Sequence, residues 1–162
     1  MTTMNELNGT YVLDPSHSTL GFVARHAMIT KVRGSFTDFT GTGHVDGANP
    51  AASDVVVEMQ VGSVDTRNAD RDGHLKSGDF FDIEKYPTIT FKSTSIEAID
   101  ADSIEITGDL TIKDVTKQVT VPFEFTGAAT DPFGNERIGF EGRTEVNRRD
   151  FNLTWNAALD TG

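Results

Sequence analysis

The chain of 162 residues contains no cysteine, which excludes a disulfide framework, a thiolate metal centre and a cysteine nucleophile. It has one tryptophan and two tyrosines against eleven phenylalanines, so its aromatic content is weighted towards rings without a polar handle. Positive charge is also scarce: 14 Lys and Arg face 25 Asp and Glu, a formal net charge of -11. That excess is spread along the chain and opposes docking on phosphate backbones or anionic headgroups, so nucleic acid is not an expected partner. No stretch reaches the ~18 apolar residues of a membrane span, so no integral membrane segment is expected. The start, "MTTMNELNGTYVLD", lacks the basic and apolar regions of a signal peptide, and a cytoplasmic location is the expectation.

What is abundant is alternation. Leu20, Phe22, Ala24 and His26 share one face of an extended segment, as do Val55, Val57, Met59 and Val61 in "VVVEMQV", and Ile89 and Phe91 in "TITFKS". Downstream, Ile104, Ile106, Leu110 and Ile112 alternate with polar residues, and Val119, Val121, Phe123 and Phe125 do the same. A period of two over many short segments, separated by turn signals such as "DGANPAAS" and "TDPFGNE", predicts an all-β antiparallel sheet around one core, with residues 1–162 forming one domain. Two segments, "KVRGSFTDFTGTGHV" and "NERIGFEGRTEV", read as strands of more than ten residues. Their interior glycines (Gly34, Gly41, Gly43, Gly139 and Gly142) read as bends or bulges of the kind that close a sheet into a barrel.

One stretch breaks the pattern. Residues 67–86 carry no alternation and predict a helical excursion. In "GDFFDIEKYP", Asp79 reads as the helix N-cap, Phe80, Phe81 and Ile83 as its apolar face, Glu84 and Lys85 as its last turn and Pro87 as its stop. The preceding residues mimic a calcium loop, with Asn68, Asp70 and Asp72 at positions one, three and five and Gly73 at six. Position twelve, however, is Asp79 rather than a glutamate, Lys76 brings a positive charge to position nine, and the segment before is a strand. Calcium binding is therefore not expected.

The segment "TRNADRDGHLKSGDFFDIEKYPTITFKS" resembles the signature of the YceI-like family of lipocalin-like polyisoprenoid-binding proteins. Three further blocks resemble the family in order: "YVLDPSHSTLGFVARHAMITKVRGSF", "ITGDLTIKDVTKQVTVP" and "NRRDFNLTWN". The chain departs from the pattern at two turns, with Lys113 and Asp114 where the family has a glycine, and Asn152 where it has another. The resemblance implies a lipocalin-like antiparallel barrel of about eight strands. It also implies a further strand after "NAALDTG", which the sequence as given lacks, so that a missing strand or a second subunit in a homodimer is expected to cover an open edge.

What the resemblance implies for function is non-catalytic binding, sequestration or transport of a long-chain polyisoprenoid, a polyprenyl quinone or polyprenyl phosphate-type lipid, in the barrel lumen. The residues it assigns to the lumen are Leu20, Phe22, His26, Val57, Met59, Phe91, Ile106, Phe123, Phe125 and Phe140. From the residues alone, the same side chains also suit a solid core. No cofactor beyond the lipid is expected. A metal centre would need His17, His26, His44 and His74 to converge, and their spacing supports none. His17 reads as a turn organiser, His44 as outward-facing, and His74 as an anchor ahead of the helix. A lipid-modifying barrel enzyme using Asp70, Asp72, Asp79 or Asp82, and an interaction module using the charged turn Arg148, Arg149 and Asp150, are the competing readings.

Overall fold

A computed structural model describes residues 3–26, 30–151 and 153. Within them the chain forms β1 (Asn8–Val12), β2 (Leu20–His26), β3 (Thr30–Phe36), β4 (Phe39–Asp46), β5 (Asp54–Gln60), β6 (Val64–Asp65), α1 (Ala69–Lys76), β7 (Thr88–Ala98), β8 (Ser103–Ile112), β9 (Val115–Thr130) and β10 (Glu136–Gly142). Seven strands make a curled antiparallel sheet in the order β1-β4-β5-β7-β8-β9-β10, and a smaller sheet has the order β2-β3-β6. The all-β, lipocalin-like expectation holds. The additional strand implied after "NAALDTG" falls outside the described residues.

The register explains why alternation was so clear. Phe39 pairs with Met59, Gly41 with Val57, Val57 with Phe91, Phe91 with Leu110, Ile106 with Val121 and Ile104 with Phe123. Each of these pairs joins inward-facing residues of neighbouring strands. The intervening rows, such as Thr40 with Glu58 and Thr107 with Thr120, point outward and are polar. Apolar inside and polar outside is the reverse of a barrel that spans a bilayer. Among the described residues no helix is long and apolar enough to cross a membrane.

Two of the expected long strands are shorter. "KVRGSFTDFTGTGHV" divides at Thr37 and Asp38: β3 pairs with β2 in the small sheet, while β4 leaves to pair with β1 and β5. "NERIGFEGRTEV" forms only the seven residues of β10, with a bulge at Gly139/Phe140. Gly34 and Gly41 do not mark bends. A Cβ on Gly34 would run into the ring of Phe22, and one on Gly41 into the side chain of Leu13.

The helix forms earlier than expected. α1 begins after Asn68, whose side chain accepts a hydrogen bond from the Arg71 N–H at 3.1 Å, and Asp70 and Asp72 in the first turn favour the positive end of its dipole. Asp79 caps nothing, because residues 79–86 form successive turns broken by Asp82 at a φ of 53°. Two packed clusters sit at different ends of the sheet. One joins Phe36, Val61, Val64, Ile89, Ile112, Phe151 and Leu153, with the side chains of Leu75, Phe80, Phe81 and Ile83 from the α1 region laid over it. The other joins Met4, Leu7 and Phe125, with Val45, Ile104, Ile138 and Phe140 around them.

Candidate functional site

Between the two clusters lies a stretch of wall that belongs to neither. Val55 and Val57 of β5, Phe91 of β7, and Val119, Val121 and Phe123 of β9 all face inward and are only half-buried. Fully packed interiors leave no such residues, since close packing surrounds each inward side chain. The large side chains also lie along the wall. The Phe91 ring rests where a Cβ on Gly108 would be, and the Phe123 ring occupies the corresponding space over Gly142, as Phe22 does over Gly34. A ring lodged on a neighbouring glycine takes up wall area and leaves the centre free.

The ten residues expected to line the lumen therefore separate into groups. Val57, Phe91 and Phe123 occupy the half-buried middle. Ile106, buried in the same rows, supports them from β8. Phe22 and Met59 pack on the helix-side cluster, Phe125 and Phe140 on the opposite one, where their rings meet at 5.3 Å between centroids. Leu20 is half-buried opposite Phe36. His26 pairs with Thr30 through the backbone of β2, and its side chain falls outside the described residues.

The α1 region is held across one end by a polar network. The Asp72 carboxylate accepts from the Thr66 N–H at 2.8 Å and from its hydroxyl at 2.5 Å. Arg71 donates from Nε to the Thr66 hydroxyl at 2.9 Å and from Nη2 to the Thr66 carbonyl at 2.8 Å. His74 lies in the last turn of α1, not ahead of it, with Nε2 2.9 Å from Asp79 Oδ2 and its ring edge-on to Phe80. Of the oxygens that imitate a calcium loop, those of Asn68 and Asp72 serve the helix cap and its anchorage. The charged turn at Arg148 is not simply exposed: Arg148 is half-buried, with its guanidinium 5.9 Å from the Phe80 ring centroid. Asp150 is exposed, and the side chain of Arg149 falls outside the described residues.

Where β10 approaches β1, the two edges meet through side chains. Arg137 bonds Asp14 and also donates from Nε to Asp131 at 3.0 Å, while His17 Nδ1 lies 2.8 Å from Asp14. The His17 contact, then Arg137, then the Ser16 N–H hold the Asp14 carboxyl well below the usual carboxylate range. Asp131 is lowered first by the Asn135 N–H. One row inward lie Tyr11 and Glu136; burial, then the charge of Glu136, raise the Tyr11 phenol above its ordinary value. His17 is thereby the turn organiser expected, bound to Asp14, and His44 faces outward against the Thr10 hydroxyl at 2.9 Å.

Sequence reasoning passed over Tyr11, Glu136, Asp14 and Arg137, since the Asp14–Arg137 pair spans 123 positions. It also passed over Lys117. That residue lies on the inner row of β9 opposite Leu110, a position found by continuing the alternation of Val119, Val121 and Phe123 backwards by two.

The comparisons with known proteins agree with this architecture. Protein YceI of Escherichia coli is 44% identical over 137 residues, covering 85% of this chain and 71% of the relative. Burkholderia cenocepacia BcnA superposes with a TM-score of 0.81 at 26% identity, covering 91% of this chain and 89% of its own. A polyisoprenoid binding domain from Saccharophagus degradans, implicated in plant cell wall breakdown, has the same fold at a TM-score of 0.56 and 14% identity, over 76% of this chain and 77% of its own. The YceI-like domain model matches residues 11–162. With the barrel, its glycine-backed wall and these relatives in agreement, the chain belongs to the YceI-like family.

Proposed function

We propose that this protein holds the tail of a long-chain polyisoprenoid lipid in its lumen, for sequestration or transport, without catalysing a reaction on it. The carrying observation is the middle of the wall: Val57, Phe91, Val121 and Phe123 face inward, are apolar, and stay half-buried between two closed clusters. Each buried methylene of a tail contributes ~0.8 kcal/mol in gross transfer terms, so a chain of several isoprene units gains affinity that outlasts its ordering cost. The Saccharophagus degradans domain lends support as a polyisoprenoid binder with this fold.

Mass spectrometry of an organic extract of the purified protein, followed by uptake of an added prenyl quinone, tests this reading. A prenyl lipid in the extract, or saturable uptake, supports it; a clean extract with no uptake overturns it. The variant Phe123→Ser separates a lumen from a solid core. In a lumen it weakens lipid retention more than the urea midpoint, because a half-buried serine keeps access to water. In a solid core, stability falls by ~1 to 3 kcal/mol for the unpaired hydroxyl instead.

A further inference from the structure

We infer that the lumen selects lipids whose head is anionic, a carboxylate or a phosphate, and that Lys117 recognises it; this rests on the lumen proposed above. Lys117 stands opposite Leu110 in the inward row of β9, between Val115 and Val119. Among the described residues it is the one charged side chain in the inner rows of β4, β5, β7, β8 and β9. Among the described residues its side chain has no hydrogen bond or ion pair, whereas Arg71, His74 and Arg137 are each engaged.

Its position also suits a head that must stay wet while the tail is buried. β10 pairs with β9 only from Phe123 onward, so over residues 115–122 β9 has a strand partner on one side alone among the described residues. Lys117 is accordingly exposed. Its aliphatic stem can lie on the apolar row while the ammonium reaches the water at this flank. From Lys117 to Phe123 is six residues of strand, roughly 20 Å at 3.3 Å per residue, all of it apolar on the inner face. A head at the ammonium therefore places a tail along the half-buried wall. At the seam, the inward-facing pair Tyr11 and Glu136 carries a phenol and a carboxylate, so it offers an anion no positive charge.

The test titrates the full chain with three probes sharing one tail, geranylgeranyl phosphate, geranylgeranoic acid and geranylgeraniol, each below its micelle concentration. A charge-assisted contact at a solvated site predicts that at least one anionic probe binds about tenfold more tightly than the alcohol. This ratio falls to near one in Lys117→Met, largely survives in Lys117→Arg, and shrinks in high salt. Which of the two acids is preferred separates carboxylate from phosphate as the head. Equal binding of all three probes, or a Lys117→Met protein that keeps the ratio or loses all three alike, overturns the assignment of Lys117 while leaving the lumen standing. No binding of any probe by the unaltered protein overturns the lumen itself, and this inference with it.

Discussion

At the end covered by the α1 region the sheet is closed by side chains that exclude water, whereas along the line where β10 meets β1 it is joined by charged groups standing in water. The first closure has Phe151, Val61 and Val64 at its centre, with exposures of 2%, 1% and 4%. The second is built from Asp14, Arg137 and His17, whose side chains are 31%, 45% and 72% exposed. Hydrophobic burial is not weakened by ionic screening, while exposed ion pairs are weak and screened. The helix end is thus the mechanical anchor of the structure, and the seam is the part that parts at least expense.

The largest expected effect tests the anchor. Phe151→Ala removes a ring from the centre of the helix-side cluster and should destabilise by about 3 to 5 kcal/mol in urea unfolding. A loss no greater than that of a seam variant would break the comparison. Asn68→Ala takes away the α1 cap and should cost about 1 kcal/mol, with the loss seen first as faster amide exchange in residues 69–76. Lys113→Gly acts in the other direction. Lys113 holds a φ of 58° in the turn between β8 and β9; relief of that left-handed strain, roughly 1 to 2 kcal/mol, outweighs the extra chain entropy of glycine, roughly 0.5 to 1 kcal/mol, so the variant should gain up to about 1 kcal/mol. Asp14→Asn should give the smallest change: a lowered urea midpoint at neutral pH that fades in high salt. Because the folded Asp14 carboxyl sits below its unfolded value, the native protein keeps this contribution above the usual carboxylate range. It loses the contribution as pH falls below that range, so the gap between native and variant should close in acid. A gap that widens in acid would contradict the seam geometry.

Much of this was legible from sequence because the sheet has one apolar face per strand, and a period of two survives without any knowledge of partners. The misplaced helix shows the limit. "GDFFDIEKYP" carries a cap, an apolar face and a stop, but the cap at Asn68 lies eleven positions earlier and acts first, and the carbonyls of Leu75, Lys76 and Ser77 then accept from Phe81, Ile83 and Asp82 in a series of turns. The overlong strand had a visible flaw. Phe36 and Phe39 are both buried though three apart, an odd interval that a single strand cannot place on one face. Of the lumen, the apolar residues were legible as a set, but not their division into packed ends and an open middle. That division depends on which ring faces a glycine across the sheet. The pairing of Phe91 with Gly108 or Phe123 with Gly142 is a matter of register between strands.

Those glycines set a dimension. A methyl group at Gly34 or Gly41 would push Phe22 or Leu13 off the wall, since the nearest obstruction is the Phe22 ring in one case and the end of the Leu13 side chain in the other. The displaced group has one direction to go, towards the axis. Glycine content therefore acts as a calibre: the more rings the sheet can recess, the wider its bore, and a relative with alanine at such a position would accept a thinner guest. Selectivity for chain thickness would then reside in residues that never touch the guest.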